Sequence, residues 1–436
     1  MLTKSQSESL LRFVWSSGAL CNKKLVSTLG HSIEVKSVGL ASNIDGVDFV
    51  DVRIEIDGGN FLGRVAIHDA ASDWYKHGHD KDPKCDSVAL HIVGVADVGI
   101  MNLNATPVPI VEVRYPLSLA QALVDMSYGR CQVAARNIPD HEKINALTRL
   151  YVERFERKSN DLMKILDSVN GSWHEAMHIY LFGAMNMVSA ANKESLMKLA
   201  REVPYSVLMR ESVDPVSVDA LLLGVAGALA GEPMDDYSYE LKKRFRNLQM
   251  KYCNDVINFS RWKNDNLRPQ NLPIRRLIHL AHLIAKPDFS LENILALNSG
   301  EAARKVFSFE LRDYWRTHSS LAVLTNHPSG IGTAAAEILV INFIGPLMFS
   351  YGRAVGDQEL CERALRIVGE QQPEDNRYVN HWRSCGIVPE NALFSQALVQ
   401  LSSAYCTTRR CTECFIGRRV FRELMIAEGL LNARIR

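Results

Sequence analysis

Three groups of residues in this chain have types and spacings that could do chemistry. Near the C-terminus, Cys406-Thr-Thr-Arg-Arg-Cys411-Thr-Glu-Cys414 forms a C-x4-C-x2-C run. Thiolates are soft ligands, and the C-x2-C turn lets two sulfurs reach one tetrahedral ion or one cluster iron. Three close cysteines need a fourth partner, and Cys131, Cys385, Cys85 and several histidines are candidates. The plainer reading is a set of thiols without a ligand role on a basic tail. A second group follows Val65: His68, Asp73, His77, His79, Asp80 and Asp82 lie in one polar stretch, with His91 on the next expected strand. Imidazoles and carboxylates converging on a loop between strands suit a divalent cation; a solvated turn is the bland alternative. Asp48 precedes this stretch and alternates in phase with Ile54 and Ile56, the expected inward set. A carboxylate there is either a cation ligand or a hydrogen-bonded aspartate at a strand end.

The third group is His174-Glu-Ala-Met-His178, a literal H-E-x-x-H on an expected helix. A spacing of four puts both imidazoles on one helical face, with Glu175 placed as general base on a zinc-bound water. A third ligand is not obvious, and Glu194 is the candidate. Basic groupings occur at Arg409, Arg410, Arg418, Arg419 and Arg422, and at Lys242, Lys243, Arg244 and Arg246. They could contact phosphate, although a solvated helix face is the more frequent explanation. There is no G-x-x-x-x-G-K-[ST], no G-x-G-x-x-G after a strand and no G-x-S-x-G. Nucleoside triphosphatases, dinucleotide enzymes and α/β-hydrolases are therefore disfavoured.

The elements that must position these groups fall into two regions. Up to about residue 117, apolar or alternating runs at Ser32–Val38, Val47–Ile56, Phe61–His68, Val88–Val95 and Val108–Val113 read as strands, after a short helix over Glu8–Trp15. Asp57-Gly58-Gly59-Asn60 is a hairpin signal, and Ser72–Asp86 is a long polar insertion. Beyond Leu117 the periods are helical, at Ile144–Ser168, Trp173–Leu199, Val216–Leu229, Tyr239–Tyr252, Arg275–Ala285, Ser299–Thr317, Ala334–Tyr351, Asp357–Glu370 and Ala392–Tyr405. The fold class expected is α+β: a mixed-sheet head over residues 1–117 and a helical body over 118–436.

Composition sets the remaining bounds. The 436 residues are 47% hydrophobic and 23% charged, which are globular values, so a disordered or fibrous chain is excluded. Fifty Lys+Arg against 49 Asp+Glu give no global field, so any nucleic-acid contact needs a local patch. The first residues lack a basic n-region and an apolar h-region, and nine cysteines are scattered along a long chain. A reducing, cytoplasmic setting without a disulfide framework is expected. The most apolar stretch, 334–351, contains Glu337, Asn342 and Pro346 and falls short of the roughly 20 residues a membrane span needs. A buried helix is expected there, and no membrane partner.

The chain resembles, over nearly its full length, a bacterial family known only as a domain of unknown function. The residues that carry the resemblance are Leu11-Arg-Phe-Val-Trp15, Asp45-Gly-Val-Asp48-Phe49, Ser72-Asp-Trp-Tyr-Lys-His-Gly-His-Asp-Lys-Asp82 and Val88-Ala-Leu-His-Ile-Val93. Further along they are Glu153-Arg-Phe-Glu-Arg-Lys158, Leu267-Arg-Pro-Gln-Asn-Leu-Pro273, Tyr314-Trp-Arg-Thr-His318, Ser395-Gln-Ala-Leu-Val-Gln400, and Tyr405-Cys406 with Cys411-Thr-Glu-Cys414-Phe-Ile-Gly417. The head of that family reads G-P-D-F and then V-E-I-H, which is similar to the restriction-endonuclease-like nuclease core, where acids hold Mg²⁺. A distant cysteine joined to a C-terminal trio is similar to iron–sulfur nucleases related to the CRISPR-associated exonucleases. The resemblance implies Cys131 as fourth ligand. This chain departs from the pattern at Val47, in place of the proline, and at Ala66, where the family has glutamate. The family tends to have acidic residues rather than His174 and a large apolar residue in place of His178, which favours accident for that motif.

The function expected is therefore a metal-associated, nuclease-like or nucleic-acid-binding protein, catalytically degenerate unless other groups replace the acid at Ala66. Asp48 would hold Mg²⁺ or Mn²⁺, with His68, Asp73, His77 and His79 ligating or orienting. Cys131, Cys406, Cys411 and Cys414 would hold zinc or an iron–sulfur cluster, and DNA or RNA would be the partner. The alternatives are a non-catalytic scaffold with a structural metal, and a zinc metallopeptidase using His174, Glu175 and His178.

Overall fold

The computed structural model describes residues 2–42, 44–126, 128–185, 189–252, 255–258, 261–263, 271–325 and 330–431. Of the stretches that resemble the family, residues 267–270 lie outside these. The architecture is α+β, a mixed N-terminal sheet followed by many helices. The chain divides into two compact units, one of residues 1–146, 380–388 and 399–436, the other of residues 147–379 and 389–398.

The first unit is built on a seven-stranded sheet. Its strands are β1 (Lys24–Val26), β2 (Ser32–Ser37), β3 (Leu40–Ala41), β4 (Phe49–Ile56), β5 (Gly59–Ala70), β6 (Val88–Val95) and β7 (Ile110–Glu112). The spatial order is β1-β2-β4-β5-β6-β7, with β3 paired to β4. The β4–β5 pair is antiparallel, Ile56 lying opposite Gly59. Asp57 and Gly58 between them both take positive φ, as the two-residue turn of an Asp-Gly hairpin demands. Strands β5, β6 and β7 are parallel to one another. The β5–β6 crossover carries the polar insertion, which forms the short helix α2 (Asp73–Lys76) and two 3-10 turns, His79–Lys81 and Pro83–Cys85.

Helix α1 (Lys4–Ser16) opens with a capping box between Thr3 and Gln6 and buries Leu10, Leu11 and Val14 against one face of the sheet. Ile33, Val35, Phe49, Val52, Ile54, Val65, Ile67, Leu90 and Ile92 form that face. The Phe415–Ala427 helix joins the same core through Phe421, whose ring lies 5.5 Å from that of Phe13. The opposite face carries Ala66 and Val93 and packs on Trp74 and Cys85 of the insertion. Trp74 is fully buried and donates its Nε1–H to Met101 O at 2.9 Å. Its burial holds the insertion down by roughly 3 kcal/mol.

One phase differs from the simple alternation. The β4–β5 register shifts between Phe49 and Val52, and Asp51 takes φ +56°. The bulge puts Phe49, not Asp48, in step with Val52 and Ile54. Asp48 lies outside that apolar cluster and pairs with Arg12 of α1.

The second unit is helical around one large apolar core. One apolar helical run spans 23 residues, Thr333–Val355, longer than the sequence suggested. It is long and apolar enough to cross a membrane by length and composition, and most of it is buried inside the unit. A π turn at Val340–Ile344 carries it past Pro346. In that turn Gly345 N bonds to Val340 O, so the next carbonyl, Ile341 O, has no N–H to meet at proline. Lys158 Nζ meets it instead at 3.3 Å, and also bonds Asn342 Oδ1 and Gln396 Oε1, both at 2.8 Å. The expected helix over Ser299–Thr317 is only Gly300–Lys305, because the chain turns at Phe307 and Asp313 takes φ +42°. The expected Trp173–Leu199 helix is two, Trp173–Ala184 and Ala190–Glu202, and residues 186–188 lie outside the described ones.

Candidate metal centre

Strand β5 and the insertion bring three imidazoles together. His68 stands two residues beyond Ala66 on the same face of β5, and His77 and His79 flank Gly78 after α2. Gly78 takes φ +73°, a left-handed turn that glycine adopts without cost. One ligand nitrogen from each of His68, His77 and His79 lies within 4.8 Å of the other two. His68 and His79 are buried and His77 is exposed, so the group opens to solvent on one side. The cleft it faces has a volume of about 1330 Å³ and is also lined by Asp48, Arg12, Arg409 and Arg418. Gly46, at φ +76°, floors the group: a Cβ there would come within 2.6 Å of His79 Nδ1.

His91 completes the arrangement from behind. Ala66 pairs with His91 across the β5–β6 ladder, and His91 Nε2 lies 2.8 Å from His68 Nδ1. The other nitrogen of His68, Nε2, lies 3.4 Å from His77 Nδ1. Burial, then the nearby His79 and His77, hold the His68 imidazole down to about 3, and burial followed by His68 does the same to His91. Burial also pushes His79 down. These imidazoles are therefore uncharged at neutral pH, with lone pairs available. Ligation through His68 Nε2 requires the proton on Nδ1, where His91 Nε2 accepts it. His91 thus sets the tautomer. A His91→Asn chain is expected to lose about 10–100-fold in divalent-metal affinity while His77 and His79 stay in place. Competition titration against a chromogenic chelator reads this, and unchanged affinity would remove His91 from the site.

The carboxylates are placed differently from one another. Asp48 Oδ2 accepts the Ile67 amide at 2.6 Å and Oδ1 accepts Arg12 Nε at 2.5 Å. Burial pushes its carboxyl up from the ordinary range, against the opposing pull of Arg12 and the Ile67 amide. Asp48 feels His79 electrostatically but does not join the three-imidazole group. Asp73 is wholly buried and bonds Lys4 Nζ at 2.8 Å, Lys76 Nζ at 3.1 Å and the Ala70 amide at 3.3 Å. Burial raises its pKa, but those partners outweigh it and hold the carboxyl down to about 2. Asp73 thus fastens the insertion to α1 and is not part of the three-imidazole group. Arg12, Lys4, Gly46 and His91 escaped the sequence-based list of site residues; Arg12, Gly46 and His91 lie in stretches that resemble the family, and Lys4 had no signal.

The thiols form a second group in the same unit. Helix α3 spans Leu117–Asp125 and α4 spans Tyr128–Arg136; Cys131 lies on α4, which packs on the Phe415–Ala427 helix that Cys414 caps. Cys406 ends a π turn at Leu401–Cys406, and Cys411 lies in the loop between. Burial, reinforced by the neighbouring thiols of Cys414, Cys411 and Cys385, pushes Cys131 up to about 12. Cys406 is pushed up to about 12 by burial and by Cys414, Cys131, Cys411 and Cys385. Cys385 Sγ lies 3.5 Å from His381 Nε2.

The H-E-x-x-H residues make other contacts. Glu175 accepts the Tyr205 amide at 2.7 Å and the Ser206 amide at 3.1 Å, at the start of the Tyr205–Glu211 helix. His178 is 1% exposed and faces Val203 O at 2.9 Å, while His174 Nε2 pairs with Glu292 at 3.0 Å. Glu194 is exposed on the Ala190–Glu202 helix. Each of these side chains has a structural partner or faces solvent, and the set does not converge. Glu175→Gln is expected to lower the stability of the helical unit by about 1–2 kcal/mol through the two weakened bonds. Thermal melting checks this. Of the second basic grouping, Arg244 pairs with Glu240 at 2.6 Å and with Asp214, and Lys242 bonds Gly231 O.

Residues 8–377 match a family described as "Protein of unknown function (DUF2851)". No curated protein and no solved structure matches the chain.

Proposed function

The chain belongs to this family of unknown function, which leaves its activity to be argued from the site, and we propose that the first unit is a metal-dependent, nuclease-like head acting on phosphodiesters of nucleic acid. The observation that carries the reading is the group of three imidazoles within 4.8 Å, opening on a cleft that Asp48 and arginines line. The order of elements supports it: a helix, an antiparallel hairpin, a crossover and a parallel strand. Asp48 stands just before β4, and Ala66-Ile67-His68 lies in β5, where the restriction-endonuclease-like core has acid, spacer and base.

The donor set decides which ion fits. The Ala66 methyl cannot coordinate, and imidazole suits zinc, manganese and similar ions better than Mg²⁺, which prefers oxygen. His68, His77 and His79 would hold the ion and leave a position open. The ion would supply Lewis acidity and an activated water. Asp48, fixed by the Ile67 amide, would accept the water's proton, a task its raised pKa suits. Arg12 would steady the Asp48 carboxylate, and Arg409 on the cleft wall would bind a phosphate oxygen.

Purified full-length protein, incubated with labelled single- and double-stranded DNA and with RNA, tests the proposal. Cleavage with Mn²⁺ exceeding that with Mg²⁺, and abolished by chelator, is expected. Neither cleavage nor salt-sensitive binding with any ion would end it.

A further inference from the structure

The cleft that the three imidazoles face does not end at its arginine wall. We propose that it continues into a second cavity of the same unit and that the two form one groove for single-stranded nucleic acid. This rests on the reading of the head as nuclease-like and names the form of its substrate.

The continuity is in the lining. The second cavity has a volume of about 810 Å³, against about 1330 Å³ for the first, and Phe13, Ser16 and Arg418 line both. All of its lining residues belong to the first unit. Arg418 lies over the Phe13 ring at 5.4 Å, so the passage from one cavity to the other runs beside a guanidinium. The Phe415–Ala427 helix supplies the far wall. Its Phe415, Arg418, Arg419, Arg422 and Ile426 recur every three or four residues on one face, while Phe421 and Met425 are buried in the core. Small ligands fill clefts of about 300–1000 Å³, so the joined cavities exceed what one nucleotide needs.

The chemistry of the lining favours a strand over a duplex. Two carboxylates lie in the second cavity, and both face Arg419: Glu423 at 2.8 Å and Glu142 at 3.9 Å. Their charge is met there, which leaves Arg418 and Arg422 to meet phosphates. Phe415, one turn before Arg418 and Arg419, is partly exposed where it lines the cavity. Unpaired bases offer open faces to such a ring, and the phosphates between them fall to the guanidiniums. A duplex hides its base faces and would use the arginines alone.

The test is fluorescence anisotropy of the full chain, held in chelator, with labelled thymidine oligonucleotides of roughly 2 to 12 residues. Affinity should rise with length to about 6 nucleotides and then level off, and a hairpin duplex should bind about 10-fold more weakly than a strand of equal length. Arg422→Ala should weaken the longest strand about 5-fold and lower the slope of log affinity against log salt by about 0.7. Phe415→Ala should weaken it about 5–150-fold with the slope unchanged. The length series needs no variant, so it decides even if a substituted chain fails to fold. Affinity independent of length, a duplex bound as tightly as a strand, or parent affinity and slope in Arg422→Ala would each overturn the groove. Cleavage plays no part in these readings. A chain that binds in this way without cutting would end the proposed reaction and keep the groove, and one that cuts with length-independent affinity would do the reverse.

Discussion

A His79→Ala chain is expected to bind divalent metal at the head at least 100-fold more weakly than the parent, roughly 3 kcal/mol, and to lose cleavage with it. Removal of a group that only orients a ligand costs up to about 100-fold, so removal of a ligand sets that as the floor. His79 is the most informative of the three imidazoles. It is buried against Gly46, and its neutral state comes chiefly from burial, so the fold has already met the cost of placing it. His31→Ala is the control, since that imidazole pairs with exposed Asp57 on the hairpin side. Calorimetric titration of Mn²⁺ and Zn²⁺ into both chains separates the outcomes. Equal affinities would show that the imidazoles gather for packing alone.

Asp48→Asn is expected to cut cleavage by about 10²–10⁴-fold while leaving metal stoichiometry and affinity nearly unchanged. Asparagine keeps an oxygen for the Ile67 amide, so the β4 entry should hold. It loses the negative charge that Arg12 contacts, but half of the Arg12 side chain is in water, so stability should fall by less than about 1 kcal/mol. What it cannot do is accept a proton. Measured side by side, metal affinity and cleavage rate distinguish two roles for this residue. Parallel loss of both would make Asp48 a ligand, and loss of rate alone would make it the base.

The split between what sequence shows and what it hides follows from range. The Asp57-Gly58 turn, the β5 and β6 runs and the His68–His79 cluster are local patterns, and the strands and loop lie close to where periodicity puts them. Two features resisted. The face Asp48 presents depends on a bulge at Asp51, a non-glycine residue in the left-handed region, and alternation has no means of anticipating that extra residue. The partners of the two aspartates, Arg12 and Lys4, come from a helix whose apolar face alone is legible; its polar face carries no sign of which acid it will meet. Conversely, the H-E-x-x-H shows that a perfect local pattern can belong to a fold that uses Glu175 as a helix cap. The final helix, Phe415–Ala427, went unexpected because arginines at 418, 419 and 422 mask an apolar stripe that Phe421 and Met425 bury.

The most direct measurement is anomalous scattering from crystals of the full chain soaked in Zn²⁺ or Mn²⁺ and recorded at the metal edge. A peak about 2.1 Å from one nitrogen of each of His68, His77 and His79 is expected, with the Asp48 carboxylate outside the inner sphere. A peak centred on Asp48 and Arg-free oxygen ligands, or none between the three imidazoles, would contradict it.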